Sequence, residues 1–201
     1  MTTWSSIFPK GYALLDRQYF YEPGVYSAVA PAGTAYVRAA ADGAGGFKDA
    51  GGDGWGGGSA YAFDQEACAP GATFSVQVGD TAFSRPSADT VAGDSYVKRA
   101  DTSSLVYADR GRHSGSKGLA ANSVGSVKRS GSDATANQGG ASAGDDGDTR
   151  PMGLGGRGAS VNVSAMPGGG GGRGVFGGAT SVVPAGDGVV ALEFYARNPG
   201  Y

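Results

Sequence analysis

Glycine is concentrated in clusters along this chain, and that placement constrains the fold more than any other feature. The chain has 39 glycines in 201 residues. The densest clusters are residues 43–58, 153–158 and 168–178. Because glycine has no side chain to bury, the hydrophobic core must come from the short aromatic and valine-rich runs between the clusters. The sequence therefore predicts a small β framework, with glycine-rich segments that project from it or pack against it.

Alternation of apolar and polar residues identifies the strands. In residues 73–78 (TFSVQV), Phe74, Val76 and Val78 fall on one face. Residues 188–196 (GVVALEFYA) form the longest apolar run. No stretch of ten residues shows helical periodicity, so the predicted class is all-β with very little α-helix. Further strands are predicted at residues 19–26, 36–41, 59–64, 95–97 and 105–108.

Several glycines recur at every third residue, namely Gly51, Gly54 and Gly57, and again Gly168, Gly171, Gly174 and Gly177. Three residues per turn is the pitch of the polyproline-II helix, and glycine along one edge lets such helices touch backbone to backbone. The region between Tyr107 and Phe176 contains no aromatic Phe, Tyr or Trp and cannot build a core of its own. It is either flexible or held by hydrogen bonds between neighbouring extended segments, and the glycine spacing favours the second for part of it.

Charge, hydropathy and cysteine content argue against several classes of protein. The formal net charge is −2, and the basic pairs Lys98-Arg99 and Lys128-Arg129 are diluted by aspartates, so no nucleic-acid partner is expected. No apolar run reaches the length of a membrane span, so no membrane insertion is expected. The single cysteine, Cys68, cannot form a disulfide within the chain.

The motifs that suggest catalysis are isolated matches. Residues 140–144 fit G-x-S-x-G, but the only histidine is His113 and a strand–turn–helix context is missing. Residues 153–158 and 172–177 fit G-x-G-x-x-G without a helix to follow. The acidic residues at 145–148 lack the spacing of a known calcium loop. We therefore predict no enzyme, no cofactor and no bound metal.

The order of the remaining motifs carries a resemblance. An aromatic strand is followed by PG-x-Y, VAPAGTAYVRAAADGAGG, GGGSAYAFDQEACAPGATFSVQVGD and finally GDGVVALEFYA. Over about residues 19–196, this order resembles the glycine-rich domain of bacteriophage tail fibres and adhesins. The resemblance implies a small jelly-roll-like β-sandwich, packed polyglycine-type helices and loops that contact host surface molecules. It also implies location in the virion, other virion proteins as partners, and a homo-oligomer, of which a trimer is common among fibres.

The resemblance divides the chain into two parts. Residues 19–201 form the glycine-rich β domain, with a Gly/Ser/Asp-rich central insertion at about residues 109–160. Residues 1–18 are predicted to be an irregular arm that docks on the virion, through the apolar residues Trp4, Ile7 and Phe8.

Two groups of residues are candidates for receptor binding. Aromatic residues inside glycine clusters have no neighbouring side chains to bury them, so they either stack on sugar faces or wedge back onto the β framework. They are Phe47, Trp55 and Phe176. Arginines near glycines either bind acidic saccharide groups bidentately or are solvated loop residues. They are Arg110, Arg112 and Arg173.

The expected function is that of a bacteriophage virion protein: a tail-fibre tip, spike or head fibre that binds host surface glycan or outer-membrane protein non-covalently. The alternative is a capsid decoration or tail cement protein that packs between virion subunits. An adhesin would expose the aromatic residues of the glycine clusters, whereas a cement protein would bury them against neighbours.

Overall fold

The computed structural model describes residues 11–48, 54–81, 93–112, 115–135, 138–143, 152, 171–176, 179–183 and 185–198, with only the backbone for residues 47, 48, 54, 171–176 and 179–183. Strands dominate this part of the chain. They are β1 (Tyr12–Phe20), β2 (Gly24–Val29), β3 (Tyr36–Asp42), β4 (Phe47–Lys48), β5 (Gly54–Trp55), β6 (Tyr61–Ala67), β7 (Thr73–Val78), β8 (Ser95–Arg99), β9 (Ser104–Ala108), β10 (Val127–Arg129), β11 (Gly171–Phe176), β12 (Ala179–Val183) and β13 (Val189–Arg197). A 3-10 turn lies at Ala120–Asn122. None of the described residues belongs to a helix long and apolar enough to cross a membrane.

The described strands form two antiparallel sheets and a smaller third one. The order is β1-β13-β3-β6-β10 in the five-stranded sheet and β2-β7-β8-β9 in the four-stranded sheet. In the third sheet, β11 pairs antiparallel with β12 and parallel with β4. The predicted all-β sandwich is confirmed.

The hydrophobic core lies between the two larger sheets. Phe74, Val76 and Val78 of β7 point inward, as their alternation predicts, and contribute to one buried cluster with Leu192 and Phe194 of β13. The rings of Phe74 and Phe194 are 6.1 Å apart between centroids. Each large apolar side chain buried in this way contributes about 1.5–3 kcal/mol.

The opposite face of the five-stranded sheet is also buried, and it carries charge. Arg38 and Glu193 are each 2% exposed and are joined by an Nη1–Oε2 contact of 3.1 Å. The Tyr195 hydroxyl donates to the same Oε2 atom at 2.7 Å, and Arg17 Nη2 lies 2.5 Å from Oε1. Arg38 stacks over the Phe63 ring at 5.3 Å. Because buried charges persist only when paired and hydrogen-bonded, this cluster fixes the register of β1, β3 and β13.

Two predicted boundaries are corrected by the structure. Residues 12–18, predicted to belong to an irregular arm, form most of β1, which pairs with β13 from Tyr12–Arg197 to Phe20–Val190. Residues 171 and 174, assigned to a threefold glycine helix, lie instead in β11, because that segment pairs with β12. Trp4, Ile7 and Phe8 lie outside the described residues.

Six extended segments lie beside the sandwich and bond to one another through their backbones. We call them the glycine bundle: residues 43–46, 56–60, 109–112, 115–118, 131–134 and 140–143. Four of them belong to the predicted insertion at 109–160. These described parts of the insertion are therefore built into one structure with the glycine cluster at 43–58.

Residues 56–60 form the centre of the bundle, and their hydrogen bonds repeat at every third residue. A β-strand directs its bonds to two sides only, whereas a three-residue repeat in several directions is the pattern of packed polyproline-II-type helices. The predicted threefold packing is therefore found in the segment that contains Gly57. The bonded pairs, with the N–H donor first, are Gly57–Arg112 (3.1 Å), Ala60–Asp109 (2.8 Å), Gly46–Gly57 (2.9 Å), Gly43–Ala60 (3.3 Å), Gly140–Gly56 (2.9 Å) and Ala143–Ser59 (2.9 Å).

The segments approach so closely that glycine is required at the contacts. A Cβ atom on Gly58 would overlap the carbonyl oxygen of Ala141, and one on Gly111 would overlap the carbonyl oxygen of Gly57. Since these obstacles are backbone atoms, no side-chain rotation can relieve the overlap. Backbone-to-backbone packing thus explains the described bundle glycines of the cluster at 43–58.

Candidate functional site

A cleft of about 470 Å³ lies where β10 leaves the five-stranded sheet and enters the glycine bundle. One wall consists of Lys128, Arg129 and Ser130, and the other side comes from residues 131–132 and 141–143 of the bundle. The 3-10 turn contributes Ala120. A cleft of this volume falls within the range of small-ligand sites.

The local sequence explains why the two basic residues lie at the rim. Val127 pairs with Phe63 of β6 and packs against the buried face of the sheet, which anchors the short edge strand. Gly131 then donates its N–H to the Gly118 carbonyl at 3.1 Å, so the chain leaves the sheet after three strand residues. Lys128 and Arg129 are held between these anchors and are exposed.

The hydroxyl groups of the cleft are oriented by the bundle. Ser130 Oγ accepts a hydrogen bond from the Ala120 N–H at 2.9 Å, and Ser132 Oγ accepts one from the Ala141 N–H at 2.7 Å. Ser142 Oγ donates to Asp42 Oδ1 at 3.4 Å. After accepting its bond, the Ser130 hydroxyl still has its own proton to donate.

Among the described lining residues of the cleft, Lys128 and Arg129 are basic and none is acidic, so this part of the lining is positive. Lys128 and Arg129 form no ion pair with any described residue, whereas Arg17, Arg38, Arg99, Arg110, Arg112 and Lys117 each contact a carboxylate. Asp133, the nearest acidic residue in the sequence, bonds to Lys117 through its Oδ2 atom at 3.3 Å. The sequence signal for this site was the pair Lys128-Arg129, which was discounted because of such neighbouring aspartates.

The structure corrects the predicted role of Trp55. Its side chain is 3% exposed, so its ring presents no face for stacking on a sugar. The other interpretation, that an aromatic residue in a glycine cluster wedges back into the protein, holds here. The neighbours that bury Trp55 are distant in sequence; its carbonyl oxygen, for example, lies close to Gly115.

The structure also corrects Arg110 and Arg112, because both guanidinium groups have acidic partners within the chain. Arg110 Nη1 lies 3.8 Å from Asp94 Oδ2. Arg112 Nη2 donates to both carboxylate oxygens of Asp109, at 3.0 and 3.2 Å. Arg112 secures a turn of the bundle, and each of the two guanidinium groups already contacts an acid of the same chain, which a receptor would have to displace.

Asp109 is the anchor of that turn. The residue is 3% exposed, and besides Arg112 its Oδ2 atom accepts hydrogen bonds from the Leu119 N–H at 2.8 Å and from Asn122 Nδ2 at 3.2 Å. Its own N–H donates to Ser123 Oγ at 3.1 Å. One carboxylate thus joins the bundle segment 109–112 to the 3-10 turn that borders the cleft.

The remaining candidates lie in the small third sheet. There Gly171 pairs with Phe47, and β5, which carries Trp55, lies against β11. The backbones that carry Phe47, Arg173 and Phe176 therefore share one sheet. Their side chains lie outside the described part of the structure, so their role in receptor binding stays a prediction.

The described groups of the cleft are suited to binding. Ser142, the serine of G-x-S-x-G, is buried and bonded to a carboxylate, while His113 lies outside the described residues. No three His, Cys, Asp or Glu side chains meet as a possible metal site within the described ranges. The cleft offers two cations and at least one hydroxyl donor, which together match an oxyanion on a polar ligand.

No protein-family model matches the chain, and no curated protein matches it at a significant level.

Proposed function

We propose that this chain is a bacteriophage virion protein, as a tail-fibre tip, spike or head fibre, that binds the host cell surface non-covalently through the glycine bundle. The order of its motifs supports this proposal, and so does the architecture, in which a β-sandwich carries a bundle of extended glycine segments. Several copies on one particle would multiply weak individual contacts.

The observation that carries the proposal is the three-residue hydrogen-bond repeat around residues 56–60. It holds segments from distant parts of the chain in fixed relative positions without a large side-chain core. Turns supported in this way lose little conformational freedom on binding, so less of the binding energy is spent on ordering them.

Two measurements test the proposal together. Antibody detection in purified particles tests virion location, and labelled protein on intact host cells tests attachment. We expect saturable binding to cells and competition with particle adsorption. A folded protein that is absent from virions, or that does not compete with them for cells, would refute the adhesin.

A different observation favours the second candidate, a capsid decoration or tail cement protein. Most of the described large apolar side chains that are exposed lie on β1 and β2 or between them, with 43 to 68% exposure. Both strands are edges of their sheets as described, and exposed apolar edge strands are common sites of protein–protein pairing. The residues are Leu14, Leu15, Tyr19, Tyr21, Val25 and Val29.

The two candidates are separated by changing that surface. A cement protein with Leu14→Lys and Tyr21→Lys would lose incorporation into particles, because these charges cannot be buried between subunits. An adhesin attached elsewhere would keep both its incorporation and its binding to host cells. Incorporation is measured by quantitative immunoblotting of purified particles.

A further inference from the structure

We propose that the cleft between β10 and the glycine bundle binds an acidic saccharide unit, with Lys128 and Arg129 contacting its carboxylate or phosphate group. This inference rests on the proposed host-surface function and specifies the class of ligand for it.

The first argument is charge. Two exposed basic residues, Lys128 and Arg129, line the cleft, and no described lining residue is acidic. Neither base forms an ion pair with a described residue. Arg112 shows the contrast, because its guanidinium is satisfied by Asp109. A charge-assisted hydrogen bond from an unpaired cation to an oxyanion is about twice as strong as a neutral one.

The second argument is the nature of the walls. Beyond the two bases, the described lining residues are serine, glycine and alanine. Such walls cannot enclose an apolar ligand tightly, but the Ser130 hydroxyl can donate to a ring substituent. The small residues let a polar sugar ring approach the backbone. Together these groups suit a sugar that carries an acid better than a lipid or an apolar peptide.

The third argument excludes an extended polyanion. Affinity for nucleic acid grows with the number of phosphates neutralised by lysine and arginine. Here the described lining of the cleft includes two cations, Lys128 and Arg129, and the chain as a whole is negative. A single acidic group on a small unit is therefore the better match.

The test compares three ligands by titration calorimetry or NMR: glucuronic acid, a hexose phosphate and glucose. We expect saturable binding of one or both acids, weakening as salt rises, and much weaker binding of glucose. Preference between the two acids identifies carboxylate or phosphate as the group recognised.

The variant Lys128→Ala/Arg129→Ala should weaken acid binding about tenfold or more, because each charge-assisted contact is worth roughly a factor of ten. The matched control is Lys98→Ala/Arg197→Ala, which also removes one lysine and one arginine that form no ion pair with a described residue. Lys98 lies against Tyr96 on the four-stranded sheet, at 4.3 Å, and this control should bind as the unchanged protein does.

Equal binding of glucose and the acids, equal loss in both double variants, or no binding of any probe would overturn the assignment. The same proteins on intact host cells separate this failure from failure of the proposed function. If the cleft variant binds cells normally, the host-surface function stands and the cleft is not its site. If the unchanged protein binds an acid but no cells, the site stands and the adhesin does not.

Discussion

Asp109 and Trp55 show where sequence neighbours mislead at the scale of single residues. The cluster around Trp55 offers no side chains to bury it, yet the residue is buried because other parts of the chain pack around it. Arg112 lies near glycines and reads as a free cation, yet Asp109, three residues earlier, binds it. The burial of Trp55 could not be predicted, since it depends on which distant backbones come together, whereas the Asp109–Arg112 pair is local.

Replacing Asp109 with alanine tests its anchoring role. The change removes the carboxylate that binds the Arg112 guanidinium and leaves the Leu119 N–H without its acceptor. Breaking a buried charge pair costs about 3–5 kcal/mol. We expect the free energy of unfolding to fall by an amount in that range, reduced to the extent that the partly exposed Arg112 guanidinium forms hydrogen bonds to water. Urea unfolding measures it.

The control is Asp133→Ala, because Asp133 also binds a backbone N–H and a cation, Lys117, but is largely exposed. Exposed pairs contribute little, so a much smaller loss is expected. Equal losses in the two variants would show that burial of Asp109 does not matter.

At the scale of elements, strands with a clear alternation of apolar and polar residues were predictable. For the glycine segments the sequence predicted the type of structure but not which residues form it. Residues 73–78 and 188–196 match β7 and β13 to within a residue or so. The threefold spacing indicated glycine helices, but the bundle has residues 56–60 at its centre, whereas residues 171–176 became a strand. A glycine at every third residue permits a polyproline-II-type helix, and the backbone segments that lie beside it decide whether this helix or a strand forms.

The substitution Gly58→Ala should disrupt the bundle, because its Cβ would overlap the carbonyl oxygen of Ala141. We expect a lower Tm and faster hydrogen exchange in bundle amides, with those of the sandwich core less affected. Gly71→Ala is the control. Gly71 has a φ of +78° and open space around it, so its cost is only that of a left-handed residue, about 1–2 kcal/mol. Unchanged bundle exchange in Gly58→Ala would contradict the packing described.

Truncation tests the reassignment of residues 12–18 to β1. Deleting residues 1–18 removes most of a strand that pairs along β13 and removes Arg17, a partner of the buried Glu193. We expect loss of the folded state or a large fall in Tm, whereas deleting residues 1–10 leaves β1 intact. Equal stability of the two truncated proteins, measured by thermal unfolding, would support the original arm.

At the scale of the whole molecule, the fold class followed from the sequence but the second buried face did not. Alternation in β13 assigns Val190, Leu192 and Phe194 to a core, and it would assign Glu193 to solvent. Glu193 is nevertheless buried, because a charged cluster is stable there when each member has a partner. The candidate cleft was not predicted either, because its described lining comes from three separate segments between residues 120 and 143 that only the fold brings together.

The raised pKa values of three tyrosines predict that the folded protein loses stability at alkaline pH. Burial is the main cause that raises the pKa of Tyr36, Tyr107 and Tyr195 above the ordinary value of 10. The second cause is a nearby acidic side chain for Tyr107 and Tyr195. For Tyr36 the second cause is the neighbouring Tyr12. The unfolded chain then ionises first, so their contribution to stability is complete below pH 10 and is lost as pH rises above it.

Tm measured across that range should fall, and Tyr195→Phe should make the fall shallower. Tyr21→Phe is the control, because its ring is exposed. An identical slope of Tm against pH in the unchanged protein and in Tyr195→Phe would show that ionisation of Tyr195 does not contribute to the loss of stability.

The position of β13 has a consequence for how the chain acquires this structure. β13 is the last described strand in chain order, yet it lies between β1 and β3. During synthesis on the ribosome, β1 and β3 therefore lack the strand that pairs with both of them until residue 197 has emerged. Closing such long loops is entropically costly and slows folding, so we expect the sandwich to form only after translation has passed this strand.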